Sequence, residues 1–148
     1  MNRRLIFGRL DHLRGVLDEI SRIEVGRAED LEDRANFQAR RALERCLFLA
    51  IQDLLDVGSH IIAAHSLGMP ETYQDIIDIL GREGILPREF AARIRGMAGF
   101  RNILEHEYVK LDMEKVVEFA GRRSDFEEFA RHVVEFLERC DPKGEGPC

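Results

Sequence analysis

The chain of 148 residues has few cysteines and no long apolar run, either after its basic N-terminus or elsewhere. It has three cysteines, too few and too odd a number for a disulfide framework, which indicates a reducing compartment. Its longest uninterrupted apolar run, residues 46–51, is far shorter than the ~20 residues that span a bilayer. No long apolar segment follows the basic N-terminus, so a secretory signal is not expected. These features predict a cytoplasmic protein without a membrane segment.

The composition is that of a folded domain, with 45% hydrophobic and 34% charged residues. The net charge is −6, and such an acidic total by itself argues against a nucleic-acid partner. The charge is unevenly distributed, however. Residues 86–110 contain five basic and three acidic residues, whereas the rest of the chain is acidic. This basic segment is therefore where an anionic ligand is expected.

Apolar residues recur at helical spacing along almost the whole chain, and period-2 alternation typical of strands is not found. The first predicted helix extends from about Leu5 to Ile23. A polar segment at 24–34 is interpreted as a loop. It leads to a long central helix that Asn36 would cap and that continues to His65.

The second half of the chain contains further helix signals, with Gly-Met-Pro at 68–70 ending the central helix. The predicted helix starts are marked by Thr72 with Asp75, Pro87, Asp112, and Ser124 with Glu127. The sequence thus predicts an all-α bundle of five or six helices in one domain, residues 1–139. The remaining segment, 140–148, has no apolar face and is expected to be a flexible tail.

Several common kinds of catalytic site are not supported. His106-Glu107 begins like a zinc metalloprotease helix, but Lys110 stands where the second histidine is needed. His60 and His65 lie about 140° apart on a helix and cannot share one metal ion on a straight face. No glycine-rich phosphate loop and no Gly-x-Ser-x-Gly motif are present. We therefore expect neither a metal nor a cofactor.

One segment combines side chains suited to cleaving a phosphodiester: Arg101-Asn102-x-x-x-His106-x-Tyr108. It offers a fixed cation, a base that titrates near neutral pH, and two polar positioning groups. Taken singly, each residue has an ordinary explanation, such as an Arg101–Glu105 ion pair, a helix-end histidine or a half-buried tyrosine. The full combination is expected by chance only on the order of 10⁻⁴ times in a chain of this composition.

The motif resembles the Arg-x4-His-x-Tyr signature of HEPN-domain toxins of the HepT type. Other segments are similar to that family as well, and the resemblance covers about residues 1–139. These segments lie at 41–45, 56–62, 69–73 and 97–102. Glu105 departs from the pattern, because the family usually has an apolar or neutral residue there. A carboxylate at this position would either raise the pKa of His106 or pair with Arg101.

The resemblance implies an all-α homodimer that cleaves RNA without a metal, with two motifs facing each other across the dimer cleft. Arg101 would hold the phosphate, Asn102 would orient it or its partners, and His106 would be the general acid/base. Tyr108 would contact RNA and accept AMP from a nucleotidyltransferase antitoxin of the MNT type. The substrate would be tRNA or mRNA, and DNA is not expected.

Helix geometry leaves two possibilities for how the motif forms a site. Arg101 and His106 would be about 140° apart on an ideal helix, too far to reach one phosphate easily. Either the helix ends near Glu105, or a second copy completes the site. A rival functional interpretation is also open: a non-catalytic HEPN module that binds a nucleotidyltransferase, a nucleotide or RNA without cleavage.

Overall fold

The structure is a computed structural model that describes residues 1–24, 26–106 and 110–140. These residues form helices and no strand, so the all-α prediction is confirmed. The helices are α1 (Arg3–Arg22), α2 (Ala28–Glu32), a 3₁₀ turn (Arg34–Asn36), α3 (Phe37–His65), α4 (Tyr73–Arg82), α5 (Arg88–Glu105), α6 (Met113–Ala120) and α7 (Arg123–Cys140). Of the tail expected at 140–148, residues 141–148 lie outside the described residues, and Cys140 is the last residue of α7.

Helix α3 is the central element of the bundle. It contacts α1, α4 and α5 extensively and also α2, α6 and α7. Its apolar stripe, which includes Leu43, Leu47, Ala50, Ile51 and Leu54, is almost fully buried. The sequence predicted this stripe, because its residues recur at the spacing of one helix face.

By length and composition alone, the segment Arg34–His65 is also long and apolar enough to cross a bilayer. The core helix of a folded domain has the same length and composition. In this bundle 61% of an apolar 18-residue segment of the helix is buried inside the structure.

The segment between α1 and α3 differs from its prediction as a loop. Residues 28–32 form α2 and residues 34–36 form a 3₁₀ turn. Leu31 is buried in the core and anchors this short helix, a tertiary contact that a run of charged residues concealed. Asn36 occupies the N-cap position of α3 but does not cap it, since its side-chain amide donates instead to the carbonyl of Asp30 at 2.7 Å.

Two of the predicted helix caps are confirmed. Thr72 and Asp75 form a reciprocal capping box at α4, and the Asp112 side chain accepts from the backbone at the start of α6. The predicted box of Ser124 with Glu127 is wrong. Helix α7 begins at Arg123, so Ser124 lies inside it and is not its N-cap, and Glu127 accepts a hydrogen bond from the Arg123 side chain at 2.6 Å.

Helix α5, which carries most of the motif, packs mainly against α4 and α3. Its inward side chains, Phe90, Ile94, Met97 and Ala98, recur at helical spacing and are all buried. This packing fixes the rotation of α5 and therefore the direction of the side chains in its last turn.

Close packing between α3 and α4 requires glycine at position 58. A Cβ there would lie 2.7 Å from Ile76 Cγ2 and 3.1 Å from Leu80 Cδ1. We expect Gly58→Ala to lower the free energy of unfolding by about 1–3 kcal/mol, because this interface must separate to fit the methyl group. Gly15→Ala on α1 is the matched control, since a Cβ there meets nothing within 4 Å.

Urea denaturation of both variants measures this difference. The control should be neutral or gain up to about 1 kcal/mol from higher helix propensity. Equal effects of the two substitutions would contradict the packing explanation.

Candidate active site

The motif lies in the last turn of α5 and just beyond it. Arg101 is partly buried, whereas Asn102 and His106 are exposed. The third group, Tyr108, lies outside the described residues. The structure therefore brings Arg101, Asn102 and His106 together at one end of α5.

Two aromatic rings from other helices hold the Arg101 guanidinium. Its central carbon lies 4.5 Å from the Tyr73 ring centroid and 5.2 Å from that of Phe48. Tyr73 is the first residue of α4, and Phe48 is in the middle of α3. Such cation–π contacts are strengthened by exclusion of water, and only 13% of the Arg101 side chain is exposed.

A hydrogen bond fixes the rotation of the guanidinium. Arg101 Nε donates to Gln52 Oε1 at 2.8 Å, and Gln52 Nε2 donates to Asp56 Oδ1 at 2.7 Å. Asp56 in turn lies 3.6 Å from Arg9 of α1. Arg101 is thus positioned by side chains from α3 and α4, with a further link to α1.

Glu105 completes the surroundings of Arg101 through an i,i+4 ion pair with its Nη1. This pairing is the one that the sequence allowed as the ordinary explanation, and it shows what the unusual carboxylate contacts. The same nitrogen lies 3.4 Å from Asn102 Oδ1, a long contact. The Glu105 side chain is 47% exposed, so the carboxylate of this pair is accessible from solvent.

His106 is the residue at which α5 ends. Its backbone is extended, with φ −89° and ψ 93°, and its N–H donates to the carbonyl of Asn102 at 3.3 Å. Of the two possibilities that helix geometry left open, the structure therefore has the first, a helix that ends at Glu105. Because His106 has left the helix, the 140° separation from Arg101 does not apply to it.

Small residues near the motif have different roles. Gly99 lies against the side chain of Gln74 from α4, which occupies the space of a Cβ. Ala98 is buried in the core, whereas Gly96 is exposed and faces open space. A side chain at 99 would therefore have to displace the Gln74 amide, whereas one at 96 would meet nothing within 4 Å.

The positive charge expected from residues 86–110 is largely neutralised in the fold. Arg93 binds Asp125 and Glu128 of α7, at 3.1 and 3.0 Å, and Arg95 binds Asp78 of α4 at 2.9 Å. A basic side chain from α3, Arg45, lies over the same Phe48 ring as Arg101. The tertiary structure thus pairs part of the positive charge of the motif segment with acids and brings a further cation from α3 to the ring beside Arg101.

The sequence analysis missed the residues that hold Arg101, namely Phe48, Gln52 and Tyr73. Positions 41, 45, 48, 52 and 56 follow one another at steps of three or four along α3 and form one stripe. Such a stripe of polar and aromatic residues beside an apolar stripe indicates a second contact surface of the helix, and this signal is present in the sequence. The packing of α5 on α3 was needed to show that this surface contacts Arg101.

Asp53 is the buried acid closest in sequence to this stripe. It pairs with His12 at 2.5 Å and lies 3.6 Å from Arg9, both on α1. Burial raises the pKa of the Asp53 carboxyl, although His12 and Arg9 act in the opposite direction. Within the described ranges, no three histidine, cysteine or acidic side chains are grouped so as to hold a metal ion. Asp53 is thus an anchor between α1 and α3.

Comparison with known families identifies the chain. A family model described as "Ribonuclease HepT-like" matches residues 14–133. The chain belongs to this family. The resemblance to the HepT family that the sequence analysis stated is therefore confirmed.

Two curated relatives carry nuclease names. The mRNA nuclease HepT of Shewanella oneidensis is 27% identical over 100 residues, which cover 67% of this chain and 69% of the relative. The tRNA nuclease HepT of Aphanizomenon flos-aquae is 30% identical over 112 residues, which cover 76% of this chain and 75% of the relative. The enzyme class predicted from the motif agrees with both names.

A solved structure shares the fold. The tri-AMPylated Shewanella oneidensis HEPN toxin, determined in complex with MNT antitoxin, superposes with a TM-score of 0.76 at 21% identity. The match covers 91% of this chain and 99% of that one. The all-α HEPN architecture expected from the sequence is therefore confirmed.

The support of Arg101 by Gln52 is testable by its effect on stability. Gln52→Ala removes the acceptor of the Arg101 Nε–H and a donor to Asp56 in a partly buried place. We expect a loss of about 1–2 kcal/mol in the free energy of unfolding. The matched control is Gln38→Ala, an exposed glutamine on the same helix, with an expected change within about 0.5 kcal/mol.

A double-mutant cycle in urea separates this contact from a general effect on α3. In an Arg101→Ala background, Gln52→Ala should lower the free energy of unfolding by at least about 0.5 kcal/mol less than it does in the unaltered chain. Additive losses would mean that the two side chains are not coupled.

Proposed function

We propose that this protein is a metal-independent endoribonuclease whose site is formed by Arg101 and His106. The observation that carries the proposal is the position of Arg101. Its guanidinium is held by two rings and a hydrogen bond at the end of the helix from which His106 emerges. A preorganised cation beside a histidine is the arrangement that phosphodiester cleavage requires.

The chemistry uses the ribose 2′-hydroxyl as the nucleophile. His106 takes the proton of the 2′-OH, and the oxygen attacks the adjacent phosphorus. The bond to the 5′-oxygen of the next nucleotide breaks, and that oxygen receives a proton from an acid. The products are a 2′,3′-cyclic phosphate and a 5′-hydroxyl end. Arg101 exchanges Glu105 for the phosphate and stabilises the extra negative charge of the transition state.

Two further groups have supporting roles in this proposal. The exposed Asn102 orients the phosphate or the Arg101 side chain, with which it is already in contact. Tyr108 contacts the RNA. These assignments follow the motif residue by residue, since Arg101, Asn102, His106 and Tyr108 all occupy its positions.

We infer that the active form is a homodimer. Cleavage needs a base for the 2′-OH and an acid for the leaving oxygen, and two facing motifs supply one histidine for each. The end of α5 at Glu105 removes the geometric need for a second copy. Dimerisation is therefore proposed on the need for two proton-transfer groups and on the family resemblance.

We further propose that a nucleotidyltransferase antitoxin of the MNT type controls this enzyme. It would transfer AMP from ATP to the Tyr108 hydroxyl and release pyrophosphate. The AMPylated state and MNT complex of the structurally similar Shewanella toxin support this proposal. The names of the two relatives favour RNA of either class, tRNA or mRNA, as the substrate. Cytoplasmic location remains a prediction from the cysteine content.

Cleavage in the presence of EDTA is the direct test. Purified protein should cleave a mixed RNA substrate without added metal, as followed on denaturing gels. We expect Arg101→Ala to lower the rate about 10²–10³-fold and His106→Ala about 10²–10⁴-fold, because each removes a group that acts in the transition state.

Arg14→Ala is the matched control, because Arg14 is an exposed arginine on α1 that pairs with Asp11. It should retain activity, and circular dichroism should show that all variants keep their helices. Full activity in both motif variants would overturn the site assignment. RNA binding without cleavage by the unaltered chain would favour the non-catalytic HEPN module.

The acceptor of AMP is tested with the partner nucleotidyltransferase and ATP. Intact-protein mass spectrometry should show additions of AMP on the unaltered chain, because Tyr108 offers a nucleophilic hydroxyl. Tyr108→Phe should show none, whereas Tyr73→Phe, which changes the other tyrosine of the chain, should still be modified. Additions that persist in Tyr108→Phe would place the modification at another residue.

A further inference from the structure

A second arginine shares an aromatic ring with Arg101. The guanidinium carbon of Arg45, on α3, lies 5.2 Å from the Phe48 ring centroid, the same distance as that of Arg101. The two guanidinium groups are therefore no farther apart than twice that distance. Consecutive phosphates of a flexible single strand can reach two cations at such a separation.

Arg45 carries a positive charge that the neighbouring carboxylates do not pair with. Glu44 pairs with Arg41 at 3.3 Å and with Arg40 at 3.9 Å, and Glu105 pairs with Arg101. In residues 1–24, 26–106 and 110–140, Arg45 forms no ion pair with a carboxylate. Its side chain is exposed, so it is available to an anion from solvent.

A pocket of about 380 Å³ connects Arg45 with the surroundings of Arg101. Its lining has two arginines, two glutamates and three apolar side chains: Arg41, Glu44, Arg45, Phe48, Leu104, Glu105 and Leu111. The two glutamates pair with Arg41 and Arg101, so among the described residues Arg45 is the lining cation that no carboxylate pairs with. Its size lies at the lower end of the range for small-ligand sites, about 300–1,000 Å³. The pocket thus offers a cation for the phosphate and apolar side chains for the base of one nucleotide.

We propose that this pocket binds the nucleotide next to the scissile phosphate of a single-stranded RNA. Arg45 binds the phosphate of that nucleotide, and Leu104 and Leu111 contact its base. Because Glu105 both lines the pocket and pairs with Arg101, the two phosphate sites adjoin. This inference rests on the proposed function, since it assigns a neighbouring subsite to the same substrate.

Single-stranded RNA is the class of ligand that these features fit best. Proteins that follow a single strand combine arginines along its backbone with aromatic or apolar contacts to unstacked bases. The leucines are only partly buried and accept any base, so we expect the pocket to add affinity without strong selection of sequence.

The first experiment measures RNA binding and its salt dependence in a His106→Ala background with EDTA present. The probe is a fluorescently labelled single-stranded RNA oligonucleotide, followed by anisotropy. We expect Arg45→Ala to weaken binding several-fold and to lower the slope of log K against log salt by about 0.7, because one phosphate contact is lost.

The matched control is Arg14→Ala, which removes one positive charge from an exposed arginine on α1. It should leave the slope unchanged. Equal slopes in the Arg45 and Arg14 variants would overturn the proposal. Arg45→Lys, which keeps the charge, should restore most of the slope.

The second experiment compares a dinucleoside monophosphate, which contains only the scissile phosphate, with two trinucleoside diphosphates. Each of these carries one additional phosphate, on the 5′ side of the scissile phosphate in one and on the 3′ side in the other. Arg45→Ala should lower kcat/KM for one trinucleoside diphosphate about tenfold more than for the dinucleoside monophosphate. An equal loss on all substrates would contradict the subsite.

The two experiments also separate this inference from the proposed function. Failure of the unaltered chain to cleave any substrate would refute the ribonuclease assignment. The binding experiment would still decide whether Arg45 contacts RNA, because it does not depend on cleavage.

Discussion

Burial of the apolar stripe of α3 is the interaction on which the other helices depend, because they bury their own apolar faces against it. Leu43, Leu47, Leu54 and Ile61 are almost inaccessible to solvent. Each fully buried leucine or isoleucine contributes about 1.5–3 kcal/mol through removal of apolar surface from water. The rotation of α3 that buries this stripe also decides which side chains it presents to α5.

The candidate site is a consequence of that rotation. With its apolar face turned inward, α3 presents Phe48 and Gln52 at its boundary with α5, where Arg101 meets them. The start of α4 brings Tyr73 to the same guanidinium. Three helices therefore position one cation, and the residues that do so are part of the packing between helices. Preorganisation of this kind lets a cation stabilise charge in a transition state without first rearranging.

Features set by neighbouring residues were predictable from the sequence. The capping box at Thr72 and the motif at 101–108 depend on local spacing, and their residues identified helix starts and a family. The contact of Arg101 with Gln52 was not predictable, because 49 residues separate them and only the packing of α5 on α3 joins them. The end of α5 was left open for a similar reason: periodicity locates the face of a helix and not its last residue. The pairing of Arg93 and Arg95 with acids on other helices likewise needed the tertiary structure.

Phe48 and Gln52, which support Arg101, lie within the central helix α3, and this location has a consequence for regulation. A core helix exchanges its amide hydrogens mainly through global unfolding, whereas helix ends open at little cost. Phe48 and Gln52, the supports of Arg101 within α3, therefore stay in place for as long as the bundle is folded. A partner cannot remove these two supports by local melting without unfolding the whole domain. The control proposed for this site therefore acts on its exposed part, by covering Asn102 and His106 or by chemically altering a group beside them.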